Sequence, residues 1–367
     1  MKAFQLTAWG QPPEFREVAV PEPGPGQVLV KVAASGACHS DLHLMEWPAG
    51  MLPWPLPFTL GHETTGWVAA LGAGVKGLEI GAPVAVYGPW GCGTCRSCRL
   101  GMENYCERSA EQPAAGGGLG YHGGMAEYMI VPSVRLLVPL GDLDPVAAAP
   151  LGDAALTPYH AIKRALPLMT PGSTTAVIGV GGLGHMAVQI LREVSATKVI
   201  AIDTDPAKLR LACDLGASRA VLADGDAAEQ VRQATDGRGA DVVLDFVGAD
   251  ATIALGAKVI RPQGQLTVVG IALGNFTFNF FSLPYEVALA TTYWGSSVEL
   301  LEVLELARAG RIKAHVETFA LADAAEAYAL LREGKISGRA VMVPNLVTSQ
   351  LARPAARELQ TVGAPRD

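Results

Sequence analysis

No run of about 18 consecutive apolar residues, the length that spans a bilayer, occurs in this 367-residue chain. A membrane span is therefore not expected. The start, Met1-Lys2-Ala3-Phe4-Gln5-Leu6-Thr7, lacks the apolar stretch of a secretory leader, which points to the cytoplasm and to reduced thiols. Basic charge is not in excess either. The net charge is −7, whereas a nucleic-acid binder would carry a basic patch. Only 17% of residues are charged and 50% are hydrophobic, so large cores and buried subunit surfaces are expected. Cysteine is scarce, at six residues, and disulfide frameworks belong to short secreted chains. No internal repeat is evident. The length fits about two domains, and 42 Gly with 25 Pro fit a loop-rich α/β or mixed protein.

Four of those six cysteines nevertheless share one short stretch, Cys92-x2-Cys95-x2-Cys98-x7-Cys106. Thiolates at two-residue spacing converge on one point, and four sulfur ligands make a closed tetrahedral zinc site. A closed site leaves no position for substrate. This metal therefore reads as structural, and the chemistry must lie elsewhere.

The N-terminal part reads as β-rich, with strand candidates Gln27–Val32, Thr65–Leu71 and Ala82–Tyr87. The Gly/Pro/Cys stretch 88–124 reads as loop, with its metal lobe at 88–110. Near Thr157 the texture changes. Strand candidates Thr174–Gly179, Lys198–Asp203, Ala220–Ala223, Asp241–Val247, Gln265–Gly270 and Ala290–Trp294 alternate with helical stretches such as Leu183–Val194, Pro206–Leu215 and Ala227–Thr235. Six strands with helical crossovers predict a parallel, doubly wound Rossmann sheet. Helices over Val298–Ala309 and Ala324–Glu333 and strands over Val316–Leu321 and Arg339–Val343 follow. The expected division is a catalytic unit over 1–155, a cofactor unit over 156–295, a return to the catalytic unit over 296–345, and a peripheral tail over 346–367.

Thr174-Thr175-Ala176-Val177-Ile178 runs into Gly179-Val180-Gly181-Gly182-Leu183-Gly184. The G-x-G-x-x-G pattern alone is weak. Here it follows a strand and opens a helix, and Asp203 ends the next strand 19 residues beyond Gly184. Gly179 would allow the tight turn, Gly181 the approach of a pyrophosphate, and Gly184 close helix–strand packing. Gly182 and Leu183 complete the loop. The pyrophosphate would rest on the helix N-terminus. Asp203 would accept from the adenosine ribose hydroxyls and repel a 2′-phosphate, which favours NAD(H) over NADP. Lys208 is either a second ribose contact or a solvated helix lysine. Val247 and Val269, on two of the strand candidates, are expected along the cofactor.

Further metal donors lie in Cys38-His39-Ser40-Asp41-Leu42-His43 and Gly61-His62-Glu63. Cys38 and His62 fit either a metal site or a buried thiol and a capped histidine between strands. Position 66 is Gly, so this is not the H-E-x-x-H of a metalloprotease.

These residues resemble the zinc-dependent medium-chain alcohol dehydrogenases. Gly61-His62-Glu63-Thr64-Thr65-Gly66, Gly72 and Val75 fit that family's zinc signature, and the cysteine lobe and glycine fingerprint fit it too. The resemblance covers residues 1 to about 345 and looks closest to bacterial secondary-alcohol dehydrogenases, or carbonyl reductases. It implies a GroES-like catalytic domain beside the Rossmann domain, two Zn²⁺ per subunit, NAD(H), and a homotetramer or homodimer paired through the last strand of the cofactor sheet. Alcohol dehydrogenase is itself the standard example of a Cys2His catalytic zinc site, so those ligands are carried over from it. One departure stands out: no cysteine lies near the domain junction. The secondary-alcohol enzymes carry aspartate there, which makes Asp153 the third ligand beside Cys38 and His62. Cys213, beside Leu209 on a helix, is expected in the core.

The resemblance also implies roles. Ser40 would either hydrogen-bond the substrate oxygen or only cap a turn, and a relay would run through the nicotinamide ribose to His43, which otherwise only lines the cleft. Asp41 would orient His62, Glu63 would be a second-sphere or transient ligand, and His39 would face the pyrophosphate. Trp54, Leu119, Tyr293 and Trp294 are each either ordinary core or loop packing or, together with His43 at the rim, the lining of an apolar pocket suited to hydrophobic ketones and secondary alcohols, with aryl ones among the candidates. Other readings are a polyol or aldehyde-forming dehydrogenase, a zinc-independent reductase relative, and a non-catalytic NAD-binding sensor.

Overall fold

The computed structural model describes residues 1–345, so the tail expected over 346–367 lies outside the described residues. Six parallel strands form one sheet in the order Arg219–Leu222, Lys198–Asp203, Thr174–Ile178, Ala240–Asp245, Ile260–Val268, Ala288–Thr291. The earliest strand sits in the middle, and the order reverses between Thr174–Ile178 and Ala240–Asp245. A reversal of this kind opens a crevice at the carboxyl ends of the strands, where ligands bind.

All five residues of Thr174–Ile178 are buried, as expected for a parallel strand covered on both faces. Ala176 and Ile178 pack with Ile200, Ile202 and Val243 on one face. Val177 packs with Val199, Ala201 and Leu244 on the other. Full burial of each branched side chain stabilises the sheet by about 1.5–3 kcal/mol.

The expected strands recur with shifted ends, most visibly at the last one. The sequence predicts Ala290–Trp294, whereas the strand is Ala288–Thr291. Trp294 has a left-handed φ of 55°, which a pleated strand cannot contain. Tyr293 and Trp294 therefore stand beyond the sheet. The crossover helix Asp250–Val259 buries Ile253, Gly256 and Val259 along one side. Cys213 corrects another expectation. Leu209 and Ala212 define the buried side of helix Pro206–Asp214, and Cys213, near its end, is exposed.

A second sheet runs Leu137–Pro139, Pro83–Val86, Glu63–Leu71, Val28–Gly36, Arg339–Val343, Val316–Ala320, with Tyr128–Val131 also paired to Val28–Gly36. The chain's last two described strands thus complete a sheet begun near its N-terminus. The stretch expected as plain loop over 88–124 contains helix Arg96–Arg99, two 3₁₀ turns and the short pair Gly116–Gly117/Gly120–Tyr121. One hydrophobic cluster runs without a break from this sheet (Val30, Val84) to one face of the cofactor sheet (Val177, Leu244). Among the described residues no helix is long and apolar enough to cross a membrane.

Candidate active site

Strand register brings the metal donors together. Gly36 lies opposite Glu63 in the antiparallel pair. Cys38, just past one strand, and His62, just before the other, therefore leave the sheet at the same edge. Val341 also lies opposite Gly36, which brings Arg339 to that edge. A side chain at position 36 would collide with Glu63, whose Oε2 lies 1.8 Å from where a Cβ would sit. Cys38 is not in an irregular loop; it is the N-cap of helix His39–Glu46. Asp153 ends the 3₁₀ turn Ala149–Gly152.

Asp153 Oδ2 lies 3.7 Å from Cys38 Sγ and 3.6 Å from His62 Nε2. All three residues are buried, and their donor atoms lie within 4.8 Å of one another. Tetrahedral zinc with bonds of about 2.0–2.3 Å separates its donors by about 3.3–3.8 Å. The set fits zinc, and three donors leave one coordination position for substrate.

Each donor is held from behind. His62 Nδ1 lies 3.1 Å from Asp41 Oδ1. The contact is not aligned as a hydrogen bond, yet among the described residues neither atom has another partner, so a small ring rotation would complete it. Cys38 N–H and the Tyr328 hydroxyl donate to Asp41 Oδ2 at 2.9 and 2.8 Å. Burial alone would lower the His62 pKa, but Asp41 and Asp153 outweigh it and raise it well above the ordinary value. Thr157 Oγ1 donates to Asp153 Oδ1 at 2.7 Å. Arg339 donates from Nε and Nη2 to the two Glu63 oxygens at 2.9 and 2.5 Å, and from Nη2 to Asp153 Oδ2 at 3.1 Å. Glu63 also accepts from Ala154 N–H at 3.1 Å. Glu63 thus braces the site from the second sphere.

The four lobe cysteines also converge within 4.8 Å. Cys92 Sγ and Cys98 Sγ are 3.9 Å apart, close to the edge of about 3.8 Å expected for tetrahedral Zn–S bonds. Backbone N–H groups of Cys95 and Cys98 donate to the sulfurs of Cys92 and Cys95, an arrangement that favours thiolate.

A cleft of about 490 Å³ joins the three-donor site to the fingerprint loop. Its walls include Cys38, His62 and Asp153 at one end and Gly179, Gly181, Gly182, Leu183 and Gly184 at the other. Asp203, Lys208, Val247, Val269, His39, Ser40, His43, Trp54, Leu119, Tyr293 and Trp294 also line it. Asp41 and Glu63 lie behind the wall. A Cβ at Gly184 would fall 1.9 Å from Gly179 O, whereas among the described residues nothing lies within 4 Å of one at Gly181. The first glycine serves packing, and the second leaves open space where a pyrophosphate would come close. Asp203 Oδ2 accepts from Val180 N–H at 2.6 Å, and Oδ1 from Asp205 N–H at 2.9 Å. These amides aim the carboxylate at the cleft. A dinucleotide fits this cradle.

Two family descriptions match the chain: the alcohol dehydrogenase GroES-like domain over residues 24–142 and the zinc-binding dehydrogenase domain over 182–309. An NAD-dependent alcohol dehydrogenase of Sulfurisphaera tokodaii is 35% identical, covering 94% of this chain and all of the relative. This chain belongs to the zinc-dependent medium-chain alcohol dehydrogenases. Its cofactors are zinc and NAD. Within this family, a D-arabinose 1-dehydrogenase (NADP(+)) of Saccharolobus solfataricus is 33% identical over 94% of this chain and 97% of the relative. Among solved structures, an alcohol dehydrogenase of Aeropyrum pernix matches with TM-score 0.87 and 37% identity, covering 94% of this chain and 100% of that one. The acetophenone reductase of Geotrichum candidum, in complex with NAD, matches with TM-score 0.80 and 34% identity, over 93% and 96%.

Sequence reasoning missed Arg339, Thr157, Tyr328 and Trp47. Arg339 is 2% exposed and lines the cleft beside Gly182. A charge opening an otherwise apolar strand, Arg339–Val343, was the available signal. Trp47 stacks on His43 at 6.3 Å. Nothing in its local sequence marks it.

Proposed function

We propose that this alcohol dehydrogenase interconverts hydrophobic secondary alcohols and ketones, aryl ones included, with NAD(H). The observation that carries the reading is the open three-donor site facing a cleft walled by Trp47, Trp54, Leu119 and Trp294. The likeness to an acetophenone reductase supports it. We assign residues 1–155 and 296–345 to the catalytic unit and 156–295 to the cofactor unit.

Zinc, when bound by Cys38, His62 and Asp153, supplies Lewis acidity, and the nicotinamide supplies or accepts the hydride. The chain's own residues do the rest. Ser40 Oγ stands 3.4 Å from His62 Nε2, where it can hydrogen-bond a substrate oxygen beside the donors. His43 follows one turn later on the same helix, so the two side chains share a face. Burial pushes the His43 pKa below 6.5 while Glu46 pulls it back. The shift favours the neutral imidazole. It can take the proton released in oxidation and return it in reduction. His39, at the cleft mouth, and Lys208 contact the cofactor's phosphate and ribose side.

A sugar substrate, as the D-arabinose relative's name suggests for that protein, is the competing reading. Sugars need several polar partners, whereas the walls beside the donors are mostly apolar. Asp203 also disfavours the 2′-phosphate of NADP. A non-catalytic sensor does not need an intact donor trio, and here all three donors are in place.

Strand Ala288–Thr291 is a sheet edge, and Phe278, Phe280, Phe281 and Tyr285, in the segment before it, are 66–83% exposed. This edge and apolar surface support a homotetramer, or a homodimer, measurable by light scattering. Five ligating cysteines suit the reducing cytoplasm. The deciding assay follows NADH absorbance with acetophenone, a primary aldehyde and a polyol, before and after chelation. Ketone-dependent, chelator-sensitive oxidation is expected. Turnover of the polyol alone would overturn the reading.

A further inference from the structure

We propose that the four-cysteine lobe is a specificity element, with Asn104 as a positioning residue for the pocket wall Tyr293–Trp294. The proposal rests on reading the cleft as the substrate pocket.

Asn104 lies between Cys98 and Cys106, in the 3₁₀ turn Glu103–Tyr105. It is buried, and its Nδ2 donates to Tyr293 O at 2.8 Å. Gly101 O accepts from Ser297 N–H at 2.8 Å and from Ser297 Oγ at 3.2 Å. Tyr105 Oη lies 2.9 Å from His160 Nε2, whose Nδ1 lies 2.8 Å from Glu299 Oε2. That same oxygen accepts from Ser296 N–H. Three lobe residues thus hold the segment from 293 to 299 on both sides of Trp294.

Trp294 needs holding. Its left-handed backbone costs about 1–2 kcal/mol for a residue with a side chain, and such conformations persist only where the surroundings over-determine them. The held ring donates from Nε1 to Gly152 O at 2.7 Å and meets His62 edge-on at 5.4 Å. The lobe therefore sets one wall of the space above the metal donors. Asn104 does not line the cleft and is not one of the metal donors. Its side chain acts on the backbone of the wall. Cysteines on both sides of the turn flank it, so a metal held by the four sulfurs would help fix where Asn104 stands, together with Glu103, which accepts from Gly91 N–H at 2.7 Å.

Asn104→Leu removes the donor and keeps the branched four-atom shape of the side chain, with bulkier methyl ends. Three properties of the holoenzyme are read: zinc content, the kcat/KM ratio of acetophenone to acetone, and amide hydrogen exchange over 290–300. With two zincs retained, the ratio is expected to fall about fivefold, the net worth of one hydrogen bond. The loss falls mainly in the acetophenone KM, NADH affinity holds, and exchange over 290–300 quickens. Asn104→Gln keeps a donor and should retain most of the ratio. An unchanged ratio in N104L with both zincs bound overturns the proposal, whatever the exchange does. If N104L loses zinc or fails to fold, Asn104→Ser carries the same readouts. Should the wild type reduce neither ketone, the proposed substrate class fails, and exchange in N104L alone decides whether Asn104 holds the wall.

Discussion

Replacing Arg339 by methionine should be among the most damaging single changes in this protein. Its guanidinium makes two hydrogen bonds to Glu63 and one to Asp153. The side chains are 2%, 0% and 11% exposed, so water does not replace the lost partner. Arg339→Met leaves two carboxylates buried with one cation removed. Breaking a buried pair in this way costs about 3–5 kcal/mol, a large share of the roughly 5–15 kcal/mol that holds a typical domain folded. In urea unfolding of the zinc-free protein, that loss over a slope near 3 kcal/mol/M lowers the midpoint by about 1–2 M. The double variant Glu63→Leu/Arg339→Met removes both charges of the main pair, and apolar replacement of a buried pair is often neutral. The double variant should therefore recover most of the loss, giving a large coupling energy in a double-mutant cycle. NADH affinity should fall in R339M as well, because Arg339 abuts Gly182 in the phosphate loop. A single-variant cost under about 1 kcal/mol, against the 3–5 expected, or a double variant no better than the single, would refute this account.

Asp153→Ala should lose the catalytic zinc and keep the lobe zinc; two zincs per chain by mass spectrometry would remove Asp153 from the ligand set. Asp203→Ala should weaken NAD binding about 10- to 100-fold, the worth of a hydrogen bond to a charged group, and NADP binding less; equal losses in fluorescence titration would sink the ribose argument. Zinc uptake should release the His62 proton in addition to that of the Cys38 thiol, which binds as thiolate, because Asp41 and Asp153 overcome burial to raise the His62 pKa in the metal-free state. Affinity then rises with pH until His62 is neutral, and calorimetry in buffers of different ionisation enthalpy measures the release. No difference in proton release between the wild type and His62→Gln, leaving only the thiol's proton, would mean that His62 is already neutral without metal.

Local pattern carried much of the architecture. The strand Thr174–Ile178 and its glycine turn were legible because a continuous apolar run bounded by glycines has few other uses, and Asp203 confirmed the unit by spacing. The lobe cysteines were legible because two-residue spacing leaves their sulfurs nowhere else to converge. The bounds of Ala288–Thr291 were not legible, because the left-handed turn at Trp294 depends on contacts made by Asn104, Gly152 and Gly101. Cys213 was misplaced because its neighbour Leu209 suggested a buried face that the end of the helix does not extend to it.

By itself the sequence determined that the chain holds a closed four-sulfur metal site and a dinucleotide loop that favours NAD, whereas Cys38 and His62 stood open between metal donors and buried core residues until the family resemblance made them ligands. Only the tertiary structure decided what surrounds them. Register between Val28–Gly36 and Glu63–Leu71 brought donors 24 residues apart to one edge, and the return of the last described strand placed Arg339 between Glu63 and Asp153, 276 and 186 residues away in the chain. Periodicity and spacing report contacts that are local in the chain. A buried guanidinium linking two carboxylates across such distances leaves no local pattern, because its partners are chosen by how strands pair and not by which residues adjoin it.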